Sequence, residues 1–156
     1  MVILYLASTL YHSSLESRQR QKRKVFDHCA IYVLIAGSYS PYVLAGLGDR
    51  LGWTVFFCVW AFALIGITLK IFFTGRFKLI STLMYVFMGW MIVFFVTPLR
   101  KVISEECFQW LLFGGISYTF GALIYMVKKI KFNHAIFHFF VLIGSACHFV
   151  SIYYYL

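Results

Sequence analysis

Five polar residues lie at the ends of apolar segments and have the types and spacing that a metal centre needs. His134 and His138 are four residues apart, so on a helix they share one face and can bind one ion together. Ser8 and His12 have the same spacing on another segment, and Asp27 opens a third. An ionisable group inside a bilayer is costly and is by default a functional hypothesis.

These residues predict a zinc site with an open coordination position. His134 and His138 from one helix and His12 from another occupy three of the four positions around Zn²⁺. Water takes the fourth position, held by hydrogen bonds to Asp27 and Ser8, and such an open position distinguishes a catalytic zinc from a structural one. Three alternatives stay open: interfacial histidines that bond headgroups or backbone carbonyls, an aspartate that only caps a helix, and another ion that prefers imidazole.

Other polar residues have simpler interpretations. His28 points about 100° away from Asp27 on a helix, which favours a packing or interface role. His148 lies ten residues past His138, about 15 Å further along the helix, too far to bind the same ion. We interpret it as an interhelical hydrogen-bonding residue. The run Gly37-Ser38-Tyr39-Ser40-Pro41 predicts a proline kink with serines bonding freed carbonyls.

The composition identifies the environment of these residues as a membrane. Hydrophobic residues make up 62% of the chain and charged residues only 12%, against roughly a quarter charged in a soluble domain. A span needs roughly 20 apolar residues, and five stretches qualify: Val25–Leu47, Trp53–Phe73, Leu79–Pro98, Phe108–Val127 and Phe132–Tyr155. Met1–Tyr11 is apolar but about half that length, and we expect it to be the end of a helix whose beginning is missing. The expected fold is an all-α, polytopic transmembrane helix bundle in a single domain, residues 1–156.

The net charge of +9 does not indicate a nucleic-acid partner, because the basic residues form short clusters between apolar runs. Eleven lie on one side of the alternating spans: Arg18, Arg20, Lys22, Arg23, Lys24, Lys70, Arg76, Lys78, Lys128, Lys129 and Lys131. The other side has three: Arg50, Arg100 and Lys101. The positive-inside rule places the richer loops in the cytoplasm and the carboxyl terminus outside. The cysteines are expected to be small buried residues: Cys29, Cys58, Cys107 and Cys147.

Three separated segments are similar to the motif blocks of a known family. ASTLYHS, FDHCAIYVLIAGSYSP and NHAIFHFFVLIGSACHF resemble, in order and spacing, those of the hemolysin III family, within the wider progestin and adipoQ receptor group. The resemblance covers essentially the whole chain and implies a seven-helix bundle, of which the first helix and half the second are absent here. It also implies that zinc is bound by His12, His134 and His138, with Ser8 and Asp27 nearby.

The resemblance implies a zinc-dependent lipid hydrolase, because the wider superfamily includes alkaline ceramidases, which are zinc amide hydrolases. In this hypothesis zinc activates water, Asp27 is the general base and Ser8 helps to stabilise the developing oxyanion. Two other functions stay open: a membrane-perturbing or pore-forming hemolysin, as the family name implies, and a non-catalytic, receptor-like regulator of membrane state. The expected partners are membrane lipids and a zinc ion, in the plasma or inner membrane.

Overall fold

The computed structural model describes residues 1–73, 78–127 and 129–156, and within these ranges the chain is helical with no strand. Arg76 and Lys128, two of the predicted cytoplasmic residues, lie outside the described residues, as does the side chain of Lys78. The helices are α1 (Val2–His12), α2 (Ser17–Pro41), α3 (Arg50–Phe73), α4 (Lys78–Trp90), α5 (Val96–Leu99), α6 (Glu105–Met126) and α7 (Asn133–Tyr155). A π-helical segment, Tyr42–Leu47, continues α2, and a 3₁₀ segment, Met91–Phe95, joins α4 to α5.

Five helical stretches are long and apolar enough to cross a membrane: Ser17–Leu47, Arg50–Phe73, Leu79–Leu99, Glu105–Met126 and Asn133–Tyr155. They correspond to the five predicted spans and confirm the polytopic all-α bundle. α1 has 11 residues and is apolar but shorter, as predicted. Large apolar side chains cover the outside of the bundle, for example Phe72 at 74% and Phe94 at 76% exposure, as expected for helices that face lipid.

The first basic cluster belongs to a helix and not to a loop. α2 begins at Ser17, eight residues before the predicted start at Val25, so the residues from Arg18 to Lys24 extend the apolar helix. Lysine, arginine and glutamine are good helix formers and continue a helix beyond the apolar run. Asp27 therefore lies ten residues past the start of α2, which excludes the alternative that it only caps the helix.

The third span is interrupted where the sequence predicts a continuous helix. The backbone changes from α to 3₁₀ after α4, and the hydroxyl of Tyr39 from α2 lies at this change. It shares its proton between the carbonyls of Met88 (3.0 Å) and Gly89 (2.7 Å) and accepts a bond from the N–H of Ile92 (2.8 Å). Irregular backbone is tolerated inside a membrane when a neighbouring helix satisfies its polar groups in this way.

At Pro41, where the sequence predicts a proline kink, the backbone changes from α- to π-helix. Proline lacks the N–H that would continue the α-helical pattern. The serines beside it bond to backbone carbonyls, but not to that of Gly37, which loses its α-helical donor at Pro41. Ser38 Oγ donates to the carbonyl of Leu34 (2.6 Å), and Ser40 Oγ to that of Ala36 (3.0 Å). The span continues because its polar groups bond within the helix.

Helices α6 and α7 pack closely through glycines. A Cβ at Gly114 would lie 2.7 Å from Cδ2 of His148, and one at Gly144 would lie 2.6 Å from the ring of Tyr118. Small residues allow such close approach of helices in membranes. The His148 ring stacks on Tyr118, with ring centroids 5.3 Å apart, and its buried Nδ1 has no hydrogen-bond partner among the described residues. Ring packing therefore replaces the predicted interhelical hydrogen bond of His148, and Tyr118 bonds to Ser145 instead (3.0 Å).

The four cysteines are free thiols. Cys107 and Cys147 are buried, as predicted, and Cys29 is half-buried. Cys58 is exposed on the outside of α3, so its predicted burial is wrong. A small apolar side chain is as compatible with the lipid-facing surface of a span as with its interior, which is why the sequence does not distinguish the two positions.

Candidate metal centre

The three predicted histidines converge at one end of the bundle. His12 is the last residue of α1, and His134 and His138 lie in the first two turns of α7. Nε2 of His134 lies 3.0 Å from Nε2 of His12, which is 122 residues away in sequence, and 2.9 Å from Nε2 of His138. The ligand atoms of all three residues lie within 4.8 Å of one another.

Two of the separations between these nitrogens are close to those around a small tetrahedral ion. Zn–N bonds of about 2.0–2.1 Å place two ligand nitrogens about 3.3 Å apart, close to the observed 2.9 and 3.0 Å. Hydrogen bonds between the rings do not explain this arrangement well. Nε2 of a neutral imidazole is either a donor or an acceptor, so Nε2 of His134 cannot form good hydrogen bonds to two other Nε2 atoms at once. Three imidazole nitrogens within 4.8 Å of one another are a donor set that suits Zn²⁺.

Ser8 and Asp27 lie beside the histidines but are not part of the three-nitrogen group. Ser8 Oγ lies 3.3 Å from Nε2 of His138. Asp27 is only 2% exposed, and its Oδ1 has no hydrogen-bond partner among the described residues. A buried carboxylate oxygen of this kind can accept a bond from a water molecule or a substrate group.

His28 has a different environment from that of the three clustered histidines. Its Nδ1 lies 2.8 Å from the carbonyl oxygen of Lys24, one turn earlier on α2, and an N–H at that position donates to it. The same ring nitrogen is 3.7 Å from Oδ2 of Asp27, and Tyr85 Oη donates to the carbonyl of His28 (3.1 Å). These contacts agree with the packing or interface role predicted for His28.

Aromatic rings surround the histidines, a feature that sequence reasoning missed. The ring of Tyr11 is 4.7 Å from that of His12 and 6.4 Å from that of His134, while Tyr125 approaches His134 from α6 at 5.6 Å between centroids. The guanidinium of Arg20 lies over Tyr11 at 5.7 Å. His12 is exposed, whereas His134 and His138 are half-buried. The sequence feature that could have indicated these ring contacts is the position of Tyr11 directly before His12.

A cavity of about 160 Å³ extends from this centre between the helices. Asp27, His28 and His134 line it, and most of the remaining wall consists of apolar side chains from α2, α4, α6 and α7. Lys70 also lines it. The assignment of Lys70 to a cytoplasmic loop is wrong: it lies within α3, which continues to Phe73, and it is only 5% exposed. Hydropathy places a residue along a helix axis but does not show which way its side chain faces.

The fold and the site together define a multi-pass helical membrane protein with three histidines grouped at one end of the bundle. The chain belongs to the Haemolysin-III related family, whose sequence profile matches residues 1–149. It is 47% identical over 155 residues to the Hemolysin-3 homolog of Bacillus subtilis (strain 168), an alignment that covers 99% of this chain and 73% of the relative. Hemolysin-3 of Bacillus cereus is 45% identical over 155 residues, with 99% and 71% covered.

More distant relatives belong to animals. The human Monocyte to macrophage differentiation factor is 27% identical over 165 residues, covering 98% of this chain and 66% of the relative. This similarity agrees with the resemblance to the progestin and adipoQ receptor group. No solved structure matches the chain at a significant level.

Proposed function

We propose that this protein is a zinc-dependent hydrolase of membrane lipids, acting on an amide or ester bond near the cytoplasmic face of the membrane. The convergence of the Nε2 atoms of His12, His134 and His138 beside a largely apolar cavity carries this proposal. Among the described residues that line the cavity, the buried Asp27 is the only one with a carboxyl group.

Each side chain has a defined role in this reaction. The three histidines hold the ion through Nε2, and Zn²⁺ supplies Lewis-acid activation of water and of the substrate carbonyl group. Asp27 orients the attacking water, accepts its proton through the unpartnered Oδ1 and then transfers that proton to the leaving amine or alcohol. Ser8, next to His138, donates a hydrogen bond to the oxygen on which negative charge develops.

The cavity supports a lipid as the substrate. Its wall is mostly apolar, so it favours an acyl chain over bulk water. Asp27 and His134 in its wall would place the scissile bond near the histidines, while the acyl chain extends along α6 towards Leu111. Burial of the chain excludes competing water and orients the carbonyl group.

The test is metal content measured together with lipid turnover. Purified protein in lipid nanodiscs is assayed for zinc by mass spectrometry and for fatty acid released from ceramide and from phospholipid. We expect about one zinc per chain and measurable release. Asp27→Asn should keep most of its zinc and lose turnover, because a residue that orients water without binding the ion typically contributes about 10–100-fold. Zinc-loaded wild-type protein that releases nothing from either lipid would refute the hydrolase.

A second candidate function comes from the names of the bacterial relatives, Hemolysin-3 and Hemolysin-3 homolog. A membrane-perturbing protein would act through insertion of its helices and would not depend on the ion. Release of a dye from liposomes by the His138→Ala variant, at the rate of the wild-type protein, would favour this function. Binding of lipid and zinc without turnover or leakage would favour a regulator of membrane state.

A further inference from the structure

The start of α2 concentrates positive charge where a helix tolerates it poorly. Arg18 and Lys22 are four residues apart, so they place two like charges on one face of the helix. Arg20 and Lys24 do the same on another face. The amino-terminal end of a helix is also the positive end of its dipole, and the first turn of α2 has no acidic residue. Both effects destabilise this segment unless a negative charge lies nearby.

The described part of the chain does not supply that negative charge. It contains two ion pairs, and neither involves a basic residue in the first two turns of α2. The carboxylate of Glu16, which precedes α2, accepts a hydrogen bond from Gln19. Arg18 and Lys22 are exposed and have no hydrogen-bond or ion-pair partner among the described residues. Their charges are therefore available to an anion outside the protein.

Two further exposed lysines lie at the same end of the bundle. Lys129 and Lys131 belong to the connection between α6 and α7. The second residue of α7, His134, lies 3.0 Å from His12, which ends α1 shortly before α2 begins. The connection and the start of α2 thus lie in one layer, just outside the apolar spans.

Large apolar side chains are exposed among these charges. Leu15 is 100% exposed two residues before α2, and Phe132 is 70% exposed directly before α7. Such side chains are stable at the boundary between lipid headgroups and acyl chains, where neighbouring basic residues meet lipid phosphates. The segment from Arg18 to Lys24 extends about 9 Å along the helix axis. A headgroup layer is about 5–7 Å thick on each side of the hydrocarbon core, so this segment is long enough to cross it.

We propose that this end of the protein binds the phosphate groups of anionic phospholipids through a basic surface formed by Arg18, Lys22, Lys129 and Lys131. None of these four residues lines the cavity, so this binding is separate from the proposed hydrolysis and does not need zinc. An anionic headgroup supplies the negative charge that the start of α2 lacks. The two exposed apolar side chains favour a lipid over a soluble anion, because they insert between acyl chains.

The experiment compares two lipids that differ only in their headgroups. Phosphatidylglycerol and phosphatidylcholine with identical acyl chains are added in equal amounts to the full chain in a neutral detergent, and bound lipids are counted by native mass spectrometry. We expect a preference of about 10-fold for phosphatidylglycerol, since each basic residue near an anionic lipid surface contributes about fivefold. Replacing all four residues of the basic surface by glutamine should reduce the preference to about twofold. Glutamine is a good helix former, so α2 should stay folded.

The double variant Arg50→Gln/Lys101→Gln is the matched control, because these exposed basic residues lie at the other end of the spans. It should keep the wild-type preference. Thermal unfolding gives a second readout: phosphatidylglycerol should raise the melting temperature of the wild type more than that of the four-residue variant. The proposal is overturned by a preference that survives in the four-residue variant, or by equal losses in both variants. Displacement of phosphatidylglycerol by glycerol phosphate at the same concentration would also overturn it, because a soluble anion would then bind without acyl chains.

Discussion

The hydroxyl oxygen of Ser8 lies 3.3 Å from Nε2 of His138, although 130 residues separate them in sequence. The group proposed to stabilise the oxyanion therefore sits against a proposed zinc ligand. We expect Ser8→Ala to keep its zinc and to lose about 10–100-fold in turnover, because the hydroxyl contacts the ligand without being one. Zinc content and fatty acid release of the same preparation check this, and loss of zinc in Ser8→Ala would contradict it.

His134→Ala and His138→Ala should each lose zinc. Each change removes one of three protein ligands, and two imidazoles hold the ion far less tightly than three. Zinc per chain after gel filtration in chelator-treated buffer is the measurement. His28→Asn is the matched control, since His28 bonds to the carbonyl of Lys24 and lies outside the three-nitrogen group. Equal loss of zinc in His28→Asn would mean that the ligand set is wrong.

The packing of α6 against α7 predicts that alanine substitutions at two adjacent glycines have different effects on stability. A Cβ at Gly114 would lie 2.7 Å from the ring of His148, whereas one at Gly115 meets nothing within 4 Å. Gly114→Ala should destabilise the bundle by about 1–3 kcal/mol, as overpacking does, and Gly115→Ala should be neutral or stabilising because alanine favours helix. Thermal unfolding in detergent measures both. Equal melting temperatures for the two variants would show that the two helices can separate at little cost.

The distribution of basic residues predicts the orientation in the membrane. A single cysteine at position 129, introduced after replacement of the four native cysteines, should react only with reagents that reach the cytoplasm. A single cysteine at position 49 should react with impermeant reagents added outside. The physical reason is the asymmetry of basic residues between the two ends of the spans. Labelling of position 129 by an impermeant reagent added outside would show that the predicted orientation is wrong.

The sequence alone was enough to predict the spans and the clustering of the three histidines, for a physical reason. A long apolar run has few alternatives to a helix in a bilayer, and a polar group within it stands out. The spacing of His134 and His138 fixes their common face. The topology then brings His12 to the same depth, because the end of one span and the start of another on the same side lie in one layer.

The features that the sequence did not reveal depend on contacts between helices. The change from α- to 3₁₀-helix after Trp90 is held by the hydroxyl of Tyr39, which comes from α2. The inward direction of Lys70 depends on how α3 is rotated about its axis, which hydropathy does not encode. The stacking of His148 on Tyr118 requires the close approach of α6 and α7. Each of these is a property of a pair of helices and not of one segment.

The order of the ligands along the chain links the metal centre to biosynthesis. His12 is synthesised before α2, whereas His134 and His138 are synthesised only when α7 begins. During insertion into the membrane, every span from α2 to α6 is therefore synthesised before the third ligand exists. If the three histidines bind zinc as proposed, the complete ligand set is available only to a chain in which α7 has packed beside α1. Zinc occupancy of the newly made protein would thus report completed assembly, and partly inserted chains would compete poorly for the ion.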